Sequence, residues 1–196
     1  MWISWKHEDT DFTHPLTFDE KVDLFYEQTL GWQLHIAYLI ANGGTTFGEL
    51  KQGKPGYKVD AIRHSGFAVL HICLSYFELV GSIVLPSKLS DTDTFKAGVR
   101  RVFPVVFTGS ADSEDALKRL HKGARCGLYH AGRTRNRVGL SDSKVIAYDT
   151  HGVTVSPKLL PKELKAHLHT FKLELLNPAN VALRNQFVKL FDKGFE

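Results

Sequence analysis

The stretch FAVLHICLSYFELVGSIVL, from Phe67 to Leu85, decides the fold because its nineteen residues are mostly apolar. It is long enough to cross a membrane. It also contains Glu78, and an ionised carboxylate near the middle of a span costs about 2.5–3.5 kcal/mol on insertion scales. We therefore expect the buried central helix of a soluble bundle, with no membrane partner.

The length and composition describe an ordinary globular protein. The chain has 196 residues, of which 43% are hydrophobic and 23% charged. This excludes a disordered or fibrous chain and suits a single domain over residues 1–196, with 1–16 as an N-terminal extension. Cys73 and Cys126 are too few for a disulfide scaffold or a cysteine-based zinc module. The first residues contain no apolar run after a basic start, so we expect a cytoplasmic protein.

Apolar residues at helical spacing predict further helices on both sides of the central one. A capping box at Thr17-Phe-Asp-Glu20 begins the first helix, which should end near Asn42, before Gly43. The third helix should bend near Pro104, and Ser110 to Ser113 should cap the fourth. The six predicted spans are 17–42, 59–85, 93–107, 112–131, 158–176 and 179–192.

The apolar period changes between the fourth and fifth helices. Residues 144–149 and 153–156 are short β-like runs around Thr150-His151-Gly152, which predicts a hairpin at about 144–156. The predicted class is mainly α, a bundle of about five to six helices with one small β-hairpin. The helical share is about twice the usual third. Segments 43–58 and 132–143 are predicted to be mobile loops.

The segment from Lys118 to Arg137 is strongly basic. It has seven Lys and Arg residues and no Asp or Glu, although the net charge of the chain is only +4. This asymmetry indicates a local anion site; the alternative is an ordinary solvated face. Gly123, Gly127 and Gly132 each weaken a helix by about 1 kcal/mol, so we expect a neighbouring helix or a ligand to approach this face closely.

Within this segment, Arg125 and His130 could act together on a phosphate. The guanidinium is a permanent cation, and an imidazole with a pKa near 6.5 can move protons at neutral pH. On an ideal helix, residues five apart lie roughly 140° apart. Convergence would need a flexible Arg125, a helix loosened at Gly127, or a dimer. Otherwise Arg125 is a surface cation and His130 interacts with helix-end carbonyls.

The run Arg125-Cys-Gly-Leu-Tyr-His130 resembles the Arg-x4–6-His motif of the HEPN superfamily. It lies late in a long helix of a bundle that contains a very apolar helix earlier in the chain, as in that family, and the similar arrangement covers about residues 17–192. The resemblance implies a HEPN-like helical bundle and a metal-independent endoribonuclease with no cofactor. It also implies a homodimer with facing motifs and roles in toxin–antitoxin or phage-defence systems, with an antitoxin or another protein as partner.

The resemblance also assigns roles to the two motif residues. Arg125 would hold the scissile phosphate, and His130 would act as base toward the ribose 2′-hydroxyl or as acid toward the leaving oxygen. The product would be a 2′,3′-cyclic phosphate. Active members usually carry a polar residue after the arginine, where this chain has Cys126. This departure favours the alternative, a non-catalytic module that binds nucleic acid, nucleotide or a protein.

Other residues could extend an RNA surface. Tyr129 could stack on a base or simply pack, and Arg100 and Arg101 could add phosphate contacts or be solvated charges. The predicted nucleic-acid-binding residues are Lys118, Arg119, Lys122, Tyr129, Arg133, Arg135, Arg137, Arg100 and Arg101.

Two further pairs of residues that contain histidine are weaker candidates for a functional site. His71 and Glu78 share one face of the apolar helix, which favours a polar network inside the bundle over a role supporting the site. His167 and His169 point roughly 160° apart on a helix, so we predict no metal site there.

Overall fold

A computed structural model describes residues 3–48, 54–85 and 90–194. The described chain is mainly helical with small sheets, as predicted. It has six long helices, and π-helical segments interrupt two of them. The helices are α1 (Phe18–Thr29, π-helical Leu30–Leu34, His35–Asn42), α2 (Gly66–Val84), α3 (Asp91–Val102), α4 (Ala111–Arg119, π-helical Leu120–Arg125, Cys126–Ala131), α5 (Leu160–Leu176) and α6 (Val181–Gly194).

The central position of α2 agrees with the prediction. It packs against all five other long helices, and its inward side chains, such as Leu70 and Phe77, are fully buried. Among the described residues, α2 alone is long and apolar enough to cross a membrane, by length and composition. Half of its most apolar window is buried inside the bundle.

The predicted caps of α1 and α4 are confirmed. The Thr17 side chain accepts a hydrogen bond from the Glu20 amide, and a Glu20 carboxylate oxygen accepts one from the Thr17 amide at 2.7 Å. Ser110 likewise accepts from the Ser113 amide. Helix α1 ends at Asn42 and is followed by Gly43, whose φ of 70° an L side chain rarely adopts.

The predicted boundaries of α2 and α3 are wrong. Helix α2 begins at Gly66, not at 59, because His64 has φ of 61° and breaks the helical path. Helix α3 ends at Val102 and does not continue through a bend at Pro104. A proline disfavours helical backbone at the residue before it, and Phe103 is non-helical with φ of −126°.

The described residues form two small sheets, one of which contains the single predicted hairpin. Strands β1 (Gly44–Thr45) and β2 (Lys58–Val59) pair antiparallel. The predicted 144–156 hairpin is confirmed as β4 (Ile146–Tyr148) and β5 (Val153–Val155), which also pair antiparallel. The segment predicted as a loop at 132–143 supplies β3 (Val138–Leu140), which pairs parallel to β5. The sequence pattern did not indicate β1, β2 or β3, because none of them lies in a longer β-like run such as residues 144–149.

The predicted 43–58 loop is also only partly irregular. It contains β1 and the first residue of β2, whereas residues 49–53 lie outside the described part of the chain.

The N-terminal segment packs on α1, where the indole of Trp5 fills the space beside Gly31, and Trp5 stacks on Phe47 with ring centroids 4.3 Å apart.

Histidine 167 of α5 makes folding stability depend on pH. Its Nδ1 lies 2.8 Å from the hydroxyl oxygen of the buried Tyr76, which donates to it when Nδ1 carries no proton. Burial, with a smaller effect from the charge of Arg101, lowers the pKa of His167 from 6.5 to about 4. Between these values the unfolded chain binds a proton that the folded chain excludes. The stability that the folded protein gains from a neutral His167 is therefore complete above pH 6.5 and is lost as the pH falls toward 4.

We expect the free energy of unfolding to fall by about 3 kcal/mol from this residue between pH 7 and pH 4. Urea unfolding of wild type and His167→Gln at both pH values measures it. The variant should be less stable at pH 7 but should lose less stability on acidification. An identical pH dependence in both proteins would contradict the assignment.

Candidate functional site

The outward side of α2 carries a polar stripe. Its members are His71 and Ser75, which are exposed, and Glu78 and Ser82, which are half-buried. The steps of four, three and four residues place them along one helix face. The predicted shared face of His71 and Glu78 is thus confirmed, but the expected network inside the bundle is wrong. The stripe lies at the surface, and His71 and Glu78 both contact α4.

Helix α4 presents its motif residues on its outer face. Lys118, Lys122 and Tyr129 are exposed, and Arg125 is half-buried between them. The π-helical segment Leu120–Arg125 ends at the motif arginine, and such segments are frequent at functional sites. The predicted inner face is buried: Leu117, Leu120, Ala124 and Leu128.

Glu78 holds the guanidinium of Arg125 in a side-on ion pair. Arg125 Nε donates to Oε1 of Glu78 at 2.8 Å, and Nη2 donates to Oε2 at 3.0 Å. These hydrogen bonds raise the pKa of Arg125. The pair uses two of the five guanidinium N–H groups, so three remain for another acceptor. Both side chains are about a quarter exposed, at 26% and 25%, which leaves the pair accessible.

The exposed ring of Tyr129 contacts three polar residues. The Arg125 guanidinium carbon lies 4.8 Å from the ring centroid, and the His130 ring lies edge-on with centroids 5.0 Å apart. The His71 ring is nearly parallel to that of Tyr129, with planes 7° apart and centroids 6.1 Å apart. Arg125 and His130 therefore both contact one exposed ring, although they lie on different faces of an ideal helix. We call Arg125, Tyr129, His130, His71 and Glu78 the Tyr129 cluster.

The sequence analysis missed His121, which lies behind this cluster. It is only 7% exposed, its Nδ1 is 3.4 Å from Thr92 Oγ1, and its ring nitrogens are 4.0 Å from the Cys126 sulfur. Burial lowers the pKa of His121, and Arg125 and Lys96 act in the same direction against Glu78 and Asp91. Its position four residues before the motif arginine was the available signal.

The small-residue face of α4 is covered by the chain itself. A Cβ atom at Gly123 would overlap the carbonyl oxygen of Arg135, and one at Gly127 would lie 2.7 Å from the carbonyl oxygen of Arg133. The Arg135 amide donates to the Gly123 carbonyl at 2.8 Å. The expected close approach is confirmed at Gly123 and Gly127, whereas nothing lies within 4 Å of a Cβ built at Gly132. The partner is the returning backbone of this chain and not a neighbouring helix or a ligand.

Five predicted RNA-contacting cations have exposed side chains with no ion pair among the described residues. They are Lys118, Lys122, Arg133, Arg135 and Arg137. Arg119 instead pairs with Asp115 at 2.6 Å. Arg100 pairs with Glu114, and Arg101 with Glu174. These three arginines would have to leave a carboxylate to bind a phosphate.

The Tyr129 cluster lies on an open surface of the single chain. Tyr129 is 63% exposed, and His130 is exposed beside it. A depression of about 740 Å³ lies elsewhere, with Arg101 and Glu174 in its lining, and it contains neither motif residue. A second molecular surface would therefore have to supply the other wall of the cleft expected from the sequence.

His167 and His169 face different neighbours. The first is bonded to Tyr76, and the ring of the second is exposed with its centroid 6.4 Å from that of Tyr26. No group of three or more His, Cys, Asp and Glu residues is placed to hold a metal ion in the described parts of the chain.

Comparison with known proteins does not assign this chain to a family. No family model, curated protein or solved structure matches the chain. The chemistry available at the Tyr129 cluster therefore follows from its own residues.

Proposed function

We propose that this chain is a HEPN-like, metal-independent endoribonuclease in which Arg125 and His130 act on one phosphodiester. The observation that carries the proposal is the common contact of both residues with the exposed Tyr129 ring. A permanent cation and an imidazole beside one exposed ring are the groups that this cleavage needs.

Arg125 is suited to hold the scissile phosphate. Glu78 fixes one edge of the guanidinium, and the three remaining N–H groups can donate to phosphate oxygens. Cleavage places additional negative charge on these oxygens in the transition state, and donors already in place stabilise it without reorganisation. Glu78 is a positioning residue in this scheme.

His130 supplies proton transfer in the proposed reaction. Attack of the ribose 2′-oxygen on phosphorus requires loss of the hydroxyl proton, and departure of the 5′-oxygen requires a proton. His130 performs one of these transfers. The products are a 2′,3′-cyclic phosphate and a 5′-hydroxyl end.

The surroundings of the Tyr129 cluster suit a single RNA strand. Tyr129 offers an exposed ring on which a base can stack. The exposed side chains of Lys118 and Lys122 precede the motif along α4, and those of Arg133, Arg135 and Arg137 follow it. Such cations attract the sugar-phosphate backbone without selecting a sequence.

The proposal includes a cytoplasmic homodimer that contacts RNA and an antitoxin or other protein partner. These expectations come from the resemblance at Arg125 to His130. A second copy would also supply the missing wall opposite the open cluster.

The second candidate function is a non-catalytic binding module. Cys126 favours it, because a thiol is a weak hydrogen-bond donor and lies beside His121. The open surface at Tyr129 also favours it.

Incubation of the purified protein with mixed RNA in EDTA tests the enzyme. The control is the double variant Arg125→Ala/His130→Ala, purified identically. We expect the wild type to release 2′,3′-cyclic phosphate ends and the variant to release none. Equal cleavage by both proteins would indicate a contaminant, and no cleavage by the wild type would leave the binding module.

Salt dependence of RNA binding tests that module. Each phosphate contact adds about 0.7 to the slope of log affinity against log salt for a single strand. We expect Lys122→Ala to lower the slope by about this amount, with the exposed Lys162→Ala on α5 as the control. A slope near zero in the wild type would exclude the basic surface as the contact.

A further inference from the structure

The chain has a second exposed imidazole at the Tyr129 cluster. His71 reaches it from α2, whereas His130 belongs to α4. Both rings contact the ring of Tyr129, with centroid distances of 6.1 and 5.0 Å. Cleavage needs one group to take a proton and another to give one. A single chain therefore carries an imidazole for each transfer beside the guanidinium of Arg125.

The positions of the two residues within their helices distinguish their roles. His130 lies in the last turn of α4, where the helix dipole favours a cation. His71 is the sixth residue of α2, beyond the first turn in which the dipole of that helix acts. The C-terminal end of α4 therefore suits His130 to the role of acid, and His71 is the imidazole left for the role of base.

His121 does not fit either transfer. It is closer to Arg125 in the sequence, but only 7% of it is exposed, and Thr92 and Cys126 lie against its ring. A ribose hydroxyl on the open side of the cluster can meet His71 and His130 without such an obstacle. This difference in access selects His71 among the other histidines around the motif.

We infer that His71 is the catalytic base and His130 the catalytic acid of the ribonuclease reaction proposed above, on which this inference rests. His71 takes the proton of the 2′-hydroxyl, and the 2′-oxygen bonds to phosphorus. The bond from phosphorus to the 5′-oxygen breaks, with its electron pair going to oxygen. His130 gives its proton to that oxygen. The phosphorus keeps its oxidation state, and proton exchange with solvent restores both rings.

A substrate with sulfur in place of the leaving 5′-oxygen separates the two roles. A thiolate leaves without a proton, because a thiol is far more acidic than an alcohol. We expect His130→Gln to cleave ordinary RNA at least about 100-fold more slowly than wild type but the sulfur substrate within about tenfold. His71→Gln should be at least about 100-fold slower on both substrates. His169→Gln, an exposed histidine on α5, should match wild type on both.

Three results would overturn the inference. The first is a His71→Gln variant, with an unchanged unfolding transition, that cleaves ordinary RNA within about threefold of wild type. The second is rescue of His71→Gln but not of His130→Gln by the sulfur substrate, which would reverse the roles. The third is a wild type that cleaves neither substrate, which would also remove the proposed function; the first two leave that function standing.

Mixing the two inactive variants tests whether both histidines belong to one chain. A mixture of His71→Gln and His130→Gln proteins, allowed to exchange subunits, should stay inactive because every site lacks one imidazole. Recovered activity would mean that His71 of one copy works with His130 of another, which overturns the single-chain site.

Discussion

Replacing His130 by glutamine is expected to lower the rate of RNA cleavage at saturating RNA by about 10²- to 10⁴-fold. Affinity for RNA should remain within about threefold, because the exposed cations and Tyr129 are untouched. Glutamine keeps a polar side chain of similar size but cannot transfer protons near neutral pH. Single-turnover kinetics and equilibrium binding separate the two quantities.

The matched change Arg125→Lys should reduce both quantities. Lysine keeps the charge but cannot form the side-on pair with Glu78 or direct several donors at one phosphate. We expect a loss of about 10²- to 10³-fold in rate, together with weaker binding. If His130→Gln instead weakens binding without slowing any cleavage, the cluster is a binding surface and not an active site.

Replacing Gly98 by alanine is expected to have the largest effect on stability. Helices α2 and α3 touch through their backbones, and a Cβ at Gly98 would overlap the carbonyl oxygen of Phe77. The reciprocal substitution at Gly81 would overlap the carbonyl oxygen of Thr94. Backbone in the middle of two packed helices cannot yield as a flexible side chain can, so the helices must separate.

We expect Gly98→Ala to lower the free energy of unfolding by about 3 kcal/mol, after a smaller gain in helix propensity. For a chain of this length, the melting temperature should fall by about 6–12 °C. Thermal unfolding followed by circular dichroism measures the change. Gly194→Ala is the control, because no atom lies within 4 Å of a Cβ built there. A Gly98→Ala protein that melts with the wild type would contradict this close crossing.

The sequence predicted best those features that depend on neighbours along the chain. The cap at Thr17, the cap at Ser110 and the end of α1 at Gly43 are local hydrogen bonds and backbone angles. The same holds for the hairpin of β4 and β5, whose strands are only a few residues apart. The parallel pairing of β3 with β5 joins residues farther apart in the sequence, and no pattern in residues 138–140 predicts it.

The candidate site shows the same division. The motif indicated Arg125 and His130, and a helical wheel indicated that His71 and Glu78 share a face. The sequence could not indicate that this face meets α4, because the packing of two helices depends on side chains from both. Ideal helix geometry also placed Arg125 and His130 on different faces. It took no account of the π-helical segment or of the Tyr129 ring that both residues contact.

The amino-acid sequence alone determined the mainly helical class, the central apolar helix and the concentration of positive charge before and after the motif. These follow from composition and from periodicity along one segment. Tertiary structure alone decided that Glu78 orients Arg125, that His71 joins His130 around Tyr129, and that the α4 glycines are covered by the 133–135 backbone. Each of these contacts joins residues brought together only by the burial of apolar surface between packed elements, and the energy of that packing is not encoded in any one of them.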